Sequence, residues 1–342
     1  MVAVTQSANT SANSTELSVA EFQESTNAIL NEVRKVIVGQ DDVVRSVLTC
    51  VIAGGHALLE GVPGLGKTTL IRTLANALRL QFSRVQFTPD LMPSDVTGTN
   101  IMEETEEGRR AFRFQPGPIF ANLVLADEVN RATPKTQSAL LEAMQEKTVT
   151  VANQTYKLEP PFFVLATQNP LEMEGTYSLP EAQLDRFMLK IDVKFPSAQE
   201  LVSILGRTTG GDVELVQAAA DGARIIAMGA LARSVPIPTQ VSEYVARLTI
   251  ATHPDQPTAS SQVKQFVRYG SSPRGAQSLI LASKINALME GRYNVSFDDV
   301  KNIAPAALRH RLLLNFEGQA EGISTDNVIA ELLTHVPDLP RG

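Results

Sequence analysis

Apolar positions recur along the chain at two spacings, and the change between them divides the sequence into two parts. Up to about residue 200, short apolar runs alternate with stretches of helical periodicity, whereas beyond Pro196 only the helical spacing remains. Strands that alternate with helices are typical of a parallel sheet covered on both faces. We therefore predict an α/β domain over residues 19–200, followed by a linker and an all-helical domain over residues 201–342.

Within the first part, apolar runs bounded by glycine or polar residues predict buried strands. These runs are His56–Glu60, Arg84–Thr88, Asn122–Ala126, Phe162–Thr167 and Met188–Val193. Helical spacing predicts helices over Val19–Val36, after a cap at Asp41, over Leu70–Leu80 and over Pro134–Glu146. Two segments break the alternation: Thr99–Phe114 has a Glu-rich middle between strand-like ends, and Thr148–Leu158 predicts a hairpin.

In the second part, strand signals disappear and polar residues mark helix starts. A helix is expected after Pro236–Pro238, another begins at Ser272, and a third begins near Asp298. Ser324 or Thr325 is suited to cap a fourth, because both side chains accept hydrogen bonds from free backbone N–H groups.

Composition narrows the classes of protein. The 342 residues include 30 basic and 37 acidic side chains, so the net charge of −7 lacks the basic footprint of a duplex-DNA binder. One cysteine and four histidines offer little material for a disulfide or a zinc site, which favours a reducing, cytoplasmic setting. No apolar run is long enough to span a membrane. Residues 1–18, rich in Ser, Thr, Asn and Ala, predict a disordered tail.

One glycine-rich segment carries a complete phosphate-binding pattern. Residues 61–68 match G-x-x-x-x-G-K-[ST] between a predicted strand and a predicted helix. Glycines let backbone N–H groups turn toward phosphate, and the helix N-terminus adds a positive end. We expect Lys67 to contact the β- and γ-phosphates of ATP and Thr68 to offer its hydroxyl to Mg²⁺. The predicted nucleotide contacts in this segment are Gly61, Val62, Pro63, Gly64, Leu65, Gly66, Lys67, Thr68 and Thr69.

Two acids, Asp127 and Glu128, end an apolar strand. Acids at the end of a buried strand are costly unless they meet a cation, and ligands of α/β proteins bind at that end of the sheet. We expect Asp127 to bind Mg²⁺, mostly through water, and Glu128 to polarise the attacking water. The alternative is that both acids only cap the next helix.

Asn169 ends another apolar strand and is suited to orient the attacking water and sense the γ-phosphate, although Asn-Pro also starts ordinary turns. Arg186, before the last strand, is a candidate arginine finger. Such a residue contributes ~10³–10⁵ in rate, whereas an exposed ion pair with Asp185 contributes about 0–1 kcal/mol. Arg274 lies in the first turn of a lid helix, where a cation needs an anionic partner or full exposure; a nucleotide phosphate would serve.

These motifs make the chain resemble the MoxR family of AAA+ ATPases over about residues 28–335. The residues that carry the resemblance are Val38–Gln40, Gly55–Thr68, Phe87–Asp95, Asp127–Ala132, Gln137–Met144, Ala166–Pro170, Glu174–Phe187 and Ser272–Gly275.

The resemblance implies a fold and an assembly. The fold is an AAA+ P-loop core with a five-stranded parallel sheet, followed by a small helical lid, with nucleotide between them. Gly98–Phe114 would be the helix-2 insert and Thr148–Leu158 the pre-sensor-1 hairpin. The implied assembly is a homo-oligomeric ring, usually a hexamer, in which a neighbour completes each active site.

The resemblance also implies roles for single residues. Lys67 and Thr68 would be the Walker A pair, and Asp127 and Glu128 the Walker B pair. Asn169 would be sensor 1, Arg186 the arginine finger and Arg274 sensor 2. Val38, Gly39 and Gln40 would lie near the adenine.

Three functions remain open on the sequence. The first, which the resemblance implies, is an ATP-driven, chaperone-like remodeller of partner proteins, often von Willebrand factor A domain proteins, acting in metal insertion or complex assembly. The second is a nucleic-acid motor, which the acidic charge and the lack of a zinc or oligonucleotide-binding module disfavour. The third is a nucleotide-dependent scaffold with little turnover, which would need neither Glu128 nor Arg186.

Overall fold

A computed structural model describes residues 17–62, 64–104, 109–169, 176–210 and 214–339; Pro63 and residues 1–16 of the predicted tail lie outside them. The strands in the described chain are β1 (Ala57–Glu60), β2 (Phe82–Gln86), β3 (Gly98–Glu104), β4 (Arg110–Pro116), β5 (Leu123–Asp127), β6 (Thr148–Val151), β7 (Gln154–Lys157), β8 (Phe163–Gln168), β9 (Leu189–Asp192), β10 (Val267–Tyr269) and β11 (Leu313–Leu314).

The helices lie between and after these strands. They are α1 (Val19–Arg34), α2 (Asp41–Ala53), α3 (Lys67–Ala77), α4 (Pro93–Thr97), α5 (Pro134–Glu146), α6 (Glu181–Leu184), α7 (Ala198–Thr209), α8 (Gly222–Ser234), α9 (Thr239–Ala251), α10 (Ser261–Phe266), α11 (Pro273–Met289), α12 (Phe297–Leu308), α13 (Phe316–Ala320) and α14 (Thr325–His335). Single 3₁₀ turns occupy Pro118–Phe120 and Val129–Arg131.

The core is a five-stranded parallel sheet in the order β2-β5-β8-β1-β9, as the alternating pattern predicted. Each predicted apolar run lies within two residues of an observed strand. Alternate side chains of the buried strands enter two separate hydrophobic cores, so that Leu123 and Leu125 face one core and Val124 and Ala126 face the other. Both faces of the sheet are therefore covered, which confirms the α/β class.

Two antiparallel hairpins project from this core, β3–β4 and β6–β7. The β6–β7 hairpin is the one that the sequence predicted. The β3–β4 hairpin contains the strand-like ends of the segment with the Glu-rich middle. Phe114 of β4 stacks on Tyr156 of β7 with ring centroids 4.0 Å apart, so the two hairpins contact each other through aromatic rings.

The helical part packs against one edge of the sheet. Helix α12 contacts β9, and α11 contacts α1 and α2, so one continuous apolar core joins the sheet to the lid helices. Ser272 caps α11 and Ser324 caps α14, as predicted. The predicted boundary at residue 200 falls inside α7, and the domain limits stay a prediction.

Two local predictions were wrong. Asp41 is the first residue of α2 rather than its cap, because Gln40 takes the cap position in the left-handed conformation. The second part is not free of strands, since β10 and β11 pair antiparallel. Strands of two or three residues are too short to produce a readable alternation. Among the described helices, none combines the length and apolar character needed to cross a bilayer.

Candidate functional site

The carboxyl ends of the central strands meet at one edge of the sheet. The register pairs Gln86 with Asp127 and Glu60 with Gln168. A cavity of about 400 Å³, here called the phosphate cavity, opens there. It is lined by Gly64, Leu65, Gly66, Lys67, Thr68, Thr69, Arg84, Asp127, Glu128, Thr167 and Asn169. Segments predicted separately from the sequence therefore line a single cavity.

The glycine-rich loop turns directly into α3. Gly64 and Gly66 have φ angles of 84° and 77°, a left-handed conformation that side chains disfavour, and a Cβ at either position would meet open space. These glycines are thus needed for backbone conformation, not for room. The N-terminus of α3, which begins at Lys67, directs free N–H groups and a positive partial charge at the cavity. The loop therefore fits an anion such as a phosphate chain.

Lys67 spans the loop and donates to the Gly61 carbonyl oxygen, with Nζ and O 2.6 Å apart. Burial lowers the pKa of Lys67, and the carboxylates of Asp127, Glu128 and Glu60 oppose that shift. A bound phosphate would add negative charge beside the ammonium and favour its charged form.

The segment Val38–Gln40 borders the loop rather than lining the phosphate cavity. Gln40 donates from Nε2 to the Leu65 carbonyl oxygen at 3.4 Å. Gly39 has a φ angle of 64° and lies against the side chain of Glu200 on α7, so a Cβ there would collide with that carboxylate. The segment is thus within contact of the loop, where the resemblance puts the adenine. Gly61 and Val62 lead into the loop and are half-buried.

The Thr167 hydroxyl aligns the two acids. It donates to Oδ1 of Asp127 at 2.6 Å and accepts the backbone N–H of Glu128 at 2.9 Å. Glu128 itself has a φ of 54°, a strained conformation for a residue with a side chain, and such strain concentrates at functional sites. Asn169 is buried and lines the same cavity. The structure thus brings the loop with Lys67, the two acids and Asn169 together at one cavity.

The carboxylates of Asp127 and Glu128 both have cationic or amide partners that were not predicted from the sequence. Arg84 donates from Nη2 to Oδ2 of Asp127 at 2.6 Å. Gln86 donates to Oε2 of Glu128 at 2.8 Å, and Arg131 donates to the same oxygen at 2.8 Å. Arg84 and Gln86 occupy alternating positions of one strand and therefore share a face of the sheet. That spacing is the feature of the sequence from which a polar pair beside the acids could have been predicted.

The phosphate cavity fits Mg²⁺ only together with phosphate. Within the described ranges, no group of three acidic, histidine or cysteine side chains is placed to hold a metal. Magnesium is usually bound by one or two protein oxygens, water and substrate phosphates. Thr68 and Asp127, both lining the cavity, supply oxygens of that kind.

The two predicted arginines lie elsewhere. Arg186 and Arg274 line a second cavity of about 320 Å³, here called the arginine cavity, together with Gly54–His56 before β1. The two cavities thus flank opposite ends of β1, a strand of four residues that spans roughly 10 Å at about 3.3 Å per residue. The described residues that line the phosphate cavity include no lid residue, so the structure does not bring Arg274 to it.

Asp185 does not pair with Arg186, which was the alternative interpretation of that arginine. Its carboxylate contacts Arg311 at 2.8 Å and lies 4.0 Å from Nη1 of Arg274, with Ser272 as a further donor. Arg274 therefore lies near an anionic group, Asp185, while its own side chain stays 47% exposed. The contact between Arg311 and Asp185 was not predicted from the sequence.

Two other side chains, Cys50 and His56, have structural roles. Cys50 is fully buried, and burial raises the pKa of its thiol well above the usual range. His56 lies in the core, where Nε2 donates to the Met144 carbonyl oxygen and Nδ1 accepts the N–H of Val164. Neither is placed for catalysis.

Comparisons with known proteins agree with this geometry. The sequence pattern of the ATPase family associated with various cellular activities (AAA) matches residues 56–189, and that of the AAA lid domain matches residues 259–332. The first stretch covers most of the sheet domain, and the second covers about half of residues 201–342.

Individual relatives span most of the chain. Chaperone MoxR1 of Mycobacterium tuberculosis is 42% identical over 305 residues, which cover 89% of this chain and 80% of that protein. Protein MoxR of Methylorubrum extorquens is 30% identical, covering 86% and 90% of the respective chains. A solved structure from Cytophaga hutchinsonii, itself a candidate ATPase, superimposes with a TM-score of 0.88 at 40% identity, covering 94% of this chain and 97% of that one.

Proposed function

The chain belongs to the MoxR family of AAA+ ATPases, and from this membership we propose that it hydrolyses ATP to ADP and phosphate with Mg²⁺. The observation that carries the proposal is the phosphate cavity, where Lys67, Asp127, Glu128 and Asn169 converge at the carboxyl end of the sheet. A binding protein would need only the loop and its lysine. The paired acids and the buried amide are suited to chemistry on the γ-phosphate.

Five side chains of the cavity and the backbone of the loop have proposed roles. The loop N–H groups and Lys67 bind the β- and γ-phosphates, and Thr68 and Asp127 provide oxygens for Mg²⁺, which neutralises phosphate charge when bound. Glu128 accepts a proton from the attacking water, and Asn169 orients that water. Gln86 and Arg131 both donate to one oxygen of the Glu128 carboxylate, Oε2, so the proton is accepted at Oε1 or after these donors leave.

The arginine cavity supplies the groups that the phosphate cavity lacks. Since Arg186 and Arg274 lie at the other end of the sheet, we propose that both reach the nucleotide of a neighbouring subunit. Arg186 would act as the arginine finger and Arg274 as sensor 2, and the assembly would be a ring, such as a hexamer. Charge of the transferring phosphoryl group is then stabilised from both subunits.

For the biological role, we propose chaperone-like remodelling of partner proteins. The name of the mycobacterial relative, a chaperone, supports this class. Candidate partners are proteins with a von Willebrand factor A domain, whose complexes would be assembled or loaded with metal in the cytoplasm. The β3–β4 hairpin, whose exposed Phe112 and Met102 are apolar, is available for such contacts.

One observation favours a second candidate, a nucleotide-dependent switch with low basal turnover. In the described chain, Gln86 and Arg131 both bind the carboxylate of Glu128. A subunit in this arrangement would bind ATP and hydrolyse it slowly until a partner released Glu128.

The experiment that separates these functions measures ATP turnover per subunit over a wide protein concentration range with Mg²⁺. A ring ATPase gives turnover per subunit that rises with concentration, and Glu128→Gln abolishes it while ATP binding persists. Glu321→Gln, an exposed acid of the lid, is the matched control. Flat, very low turnover with intact ATP binding would support the switch instead, and absence of ATP binding would refute both.

A further inference from the structure

The backbone around Arg186 is held by a buried arginine from the lid. Arg311, just beyond the end of α12 at Leu308, has a side chain only 2% exposed. Its Nη2 donates to the carbonyl oxygens of Asp185 at 3.2 Å and Phe187 at 2.8 Å, and its Nη1 donates to that of Met188 at 3.1 Å. The carbonyls on both sides of Arg186 are therefore fixed by one guanidinium.

The same guanidinium is fixed within the lid. It donates to the Ala307 carbonyl oxygen of α12 and to the Ser278 hydroxyl of α11 at 3.3 Å. His310 adds a bond from Nε2 to the Phe187 carbonyl oxygen at 3.0 Å. Two lid helices and the segment before β9 thus share one buried polar network.

Asp185 connects this network to Arg274. Its Oδ1 accepts Nε of Arg311 at 2.8 Å, and its Oδ2 accepts the Ser272 hydroxyl at 2.8 Å. Ser272 caps the helix that carries Arg274, whose Nη1 lies 4.0 Å from the same Oδ2. Asp185 therefore lies beside one cavity arginine in sequence and beside the other in space.

A network of this kind is costly as a stabilising device. A buried ion pair often contributes no more than a well-packed apolar pair, because both charges lose their hydration. Planar, bidentate guanidinium contacts do fix geometry strongly, since five N–H groups point in set directions. Here all but one of these contacts go to the segment that carries Arg186 or to the helix that carries Arg274, and the exception is the Ala307 carbonyl oxygen of α12.

We propose that Asp185 and Arg311 are positioning residues, which hold Arg186 and Arg274 side by side so that both reach the nucleotide of the neighbouring subunit. The inference rests on the proposed action of these arginines between subunits. It predicts that the lid and residues 185–188 move as one unit. A displacement of the lid would then withdraw Arg186 and Arg274 together from the neighbouring nucleotide. Neither positioning residue contacts the phosphate cavity of its own chain.

The test uses mixtures of two full-length chains. One chain carries Glu128→Gln, which disables its own site and leaves its arginines intact. The other carries Arg186→Ala, which leaves its site intact and removes the finger. Turnover should recover where an Arg186→Ala site meets the arginines of a Glu128→Gln neighbour. Differently tagged chains that purify together establish mixed assembly.

Asp185→Asn is then added to either chain in turn. In the Glu128→Gln chain it should lower the recovered turnover by about 10–100-fold, because an error of about 1 Å in the position of a catalytic group costs about that much. In the Arg186→Ala chain it should leave the recovery unchanged. Asp298→Asn, an exposed acid at the start of α12, is the matched control in both chains.

Each outcome has one meaning. An equal fall in both chains would show a folding role and overturn the inference, as would no fall in either. If the parent mixture forms rings yet recovers no turnover, the action of Arg186 between subunits fails, and the inference fails with it.

Arg311 provides a second variant. Arg311→Lys keeps the charge and loses the planar contacts, so kcat should fall while the ATP dissociation constant of the isolated chain stays unchanged. A matching loss of ATP affinity would contradict a positioning role, because the phosphate cavity does not contain Arg311.

Discussion

The two ends of the parallel sheet are built by different means. At the carboxyl end, short contiguous motifs place Lys67 and Asp127 directly, because each follows or ends a buried strand. At the amino end, Arg186 and Arg274 come from separate segments and are held by contacts between core and lid. The first end is set by local backbone geometry, whereas the second depends on tertiary packing. In the ring that we propose, each chain would contribute these two ends to different sites, and only the amino end would depend on the lid.

The largest expected difference between the two ends concerns Arg186. Arg186→Ala should lower kcat by ~10³–10⁵, the usual contribution of an arginine finger, and leave ATP binding at the phosphate cavity intact. Steady-state turnover and equilibrium ATP binding check this. Arg45→Ala, on α2 and lining neither cavity, should change neither value. Equal loss of turnover and ATP affinity would place Arg186 at the site of its own chain.

A second difference is the response to acid at the amino end. Burial lowers the pKa of His56 from 6.5 to about 4, with the Met144 carbonyl opposing and Lys147 reinforcing the shift. The unfolded chain therefore binds more protons between pH 4 and 6.5, so this contribution is present above pH 6.5 and is lost as the pH falls. The loss is on the order of 3 kcal/mol in unfolding free energy.

Chemical denaturation of wild type and His56→Gln at pH 7.5, 6 and 5 tests this. The stability gap between them should shrink as the pH falls, because wild type loses the contribution of the neutral, buried His56 ring. A gap that stays constant for His56→Gln would mean that its buried ring titrates normally.

At the carboxyl end, backbone conformation should dominate ATP affinity. Gly66→Ala puts a Cβ on a residue with φ of 77°, which costs about 1–2 kcal/mol, and should weaken ATP binding about tenfold. Gly206→Ala in α7 also meets open space but lacks the positive φ, so its affinity should match wild type. Titration with ATP decides between them. Unchanged binding by Gly66→Ala would mean that the loop tolerates another conformation.

The smallest expected effect concerns Arg84. Its guanidinium pairs with Asp127 at 2.6 Å, and its side chain is 45% exposed, so the pair is worth only about 0–1 kcal/mol. If Arg84 competes with Mg²⁺ for Asp127, Arg84→Met should lower the Mg²⁺ concentration for half-maximal turnover by up to about fivefold. Lys157→Met, on the exposed end of β7, should leave it unchanged. A higher Mg²⁺ requirement would instead make Arg84 a nucleotide contact.

The same contrast explains what the sequence could predict. The five strands, the loop and the acids at strand ends follow from local periodicity and a contiguous motif, so Lys67, Asp127 and Asn169 were placed together correctly. Arg84 and Arg311 were not foreseen, because their partners lie 43 and 126 residues away in the chain. Nothing local distinguishes Arg311 from an ordinary exposed arginine, because most of the groups that surround its guanidinium belong to residues 185–188, which are distant in the sequence.

If the proposed action of the arginines between subunits holds, the opposite placement of the two cavities limits how copies of the chain can associate. An interface that joins a phosphate cavity to an arginine cavity uses two different surfaces, so it is heterologous and cannot have twofold symmetry. A pair of chains joined in this way would hold one complete site and leave one unmatched surface at each end. Only cyclic closure removes both unmatched surfaces, and an open arrangement would extend as a filament. A substitution in the arginine cavity of one chain would accordingly abolish ATP turnover at the site of the neighbouring chain. The phosphate cavity of the substituted chain would continue to work.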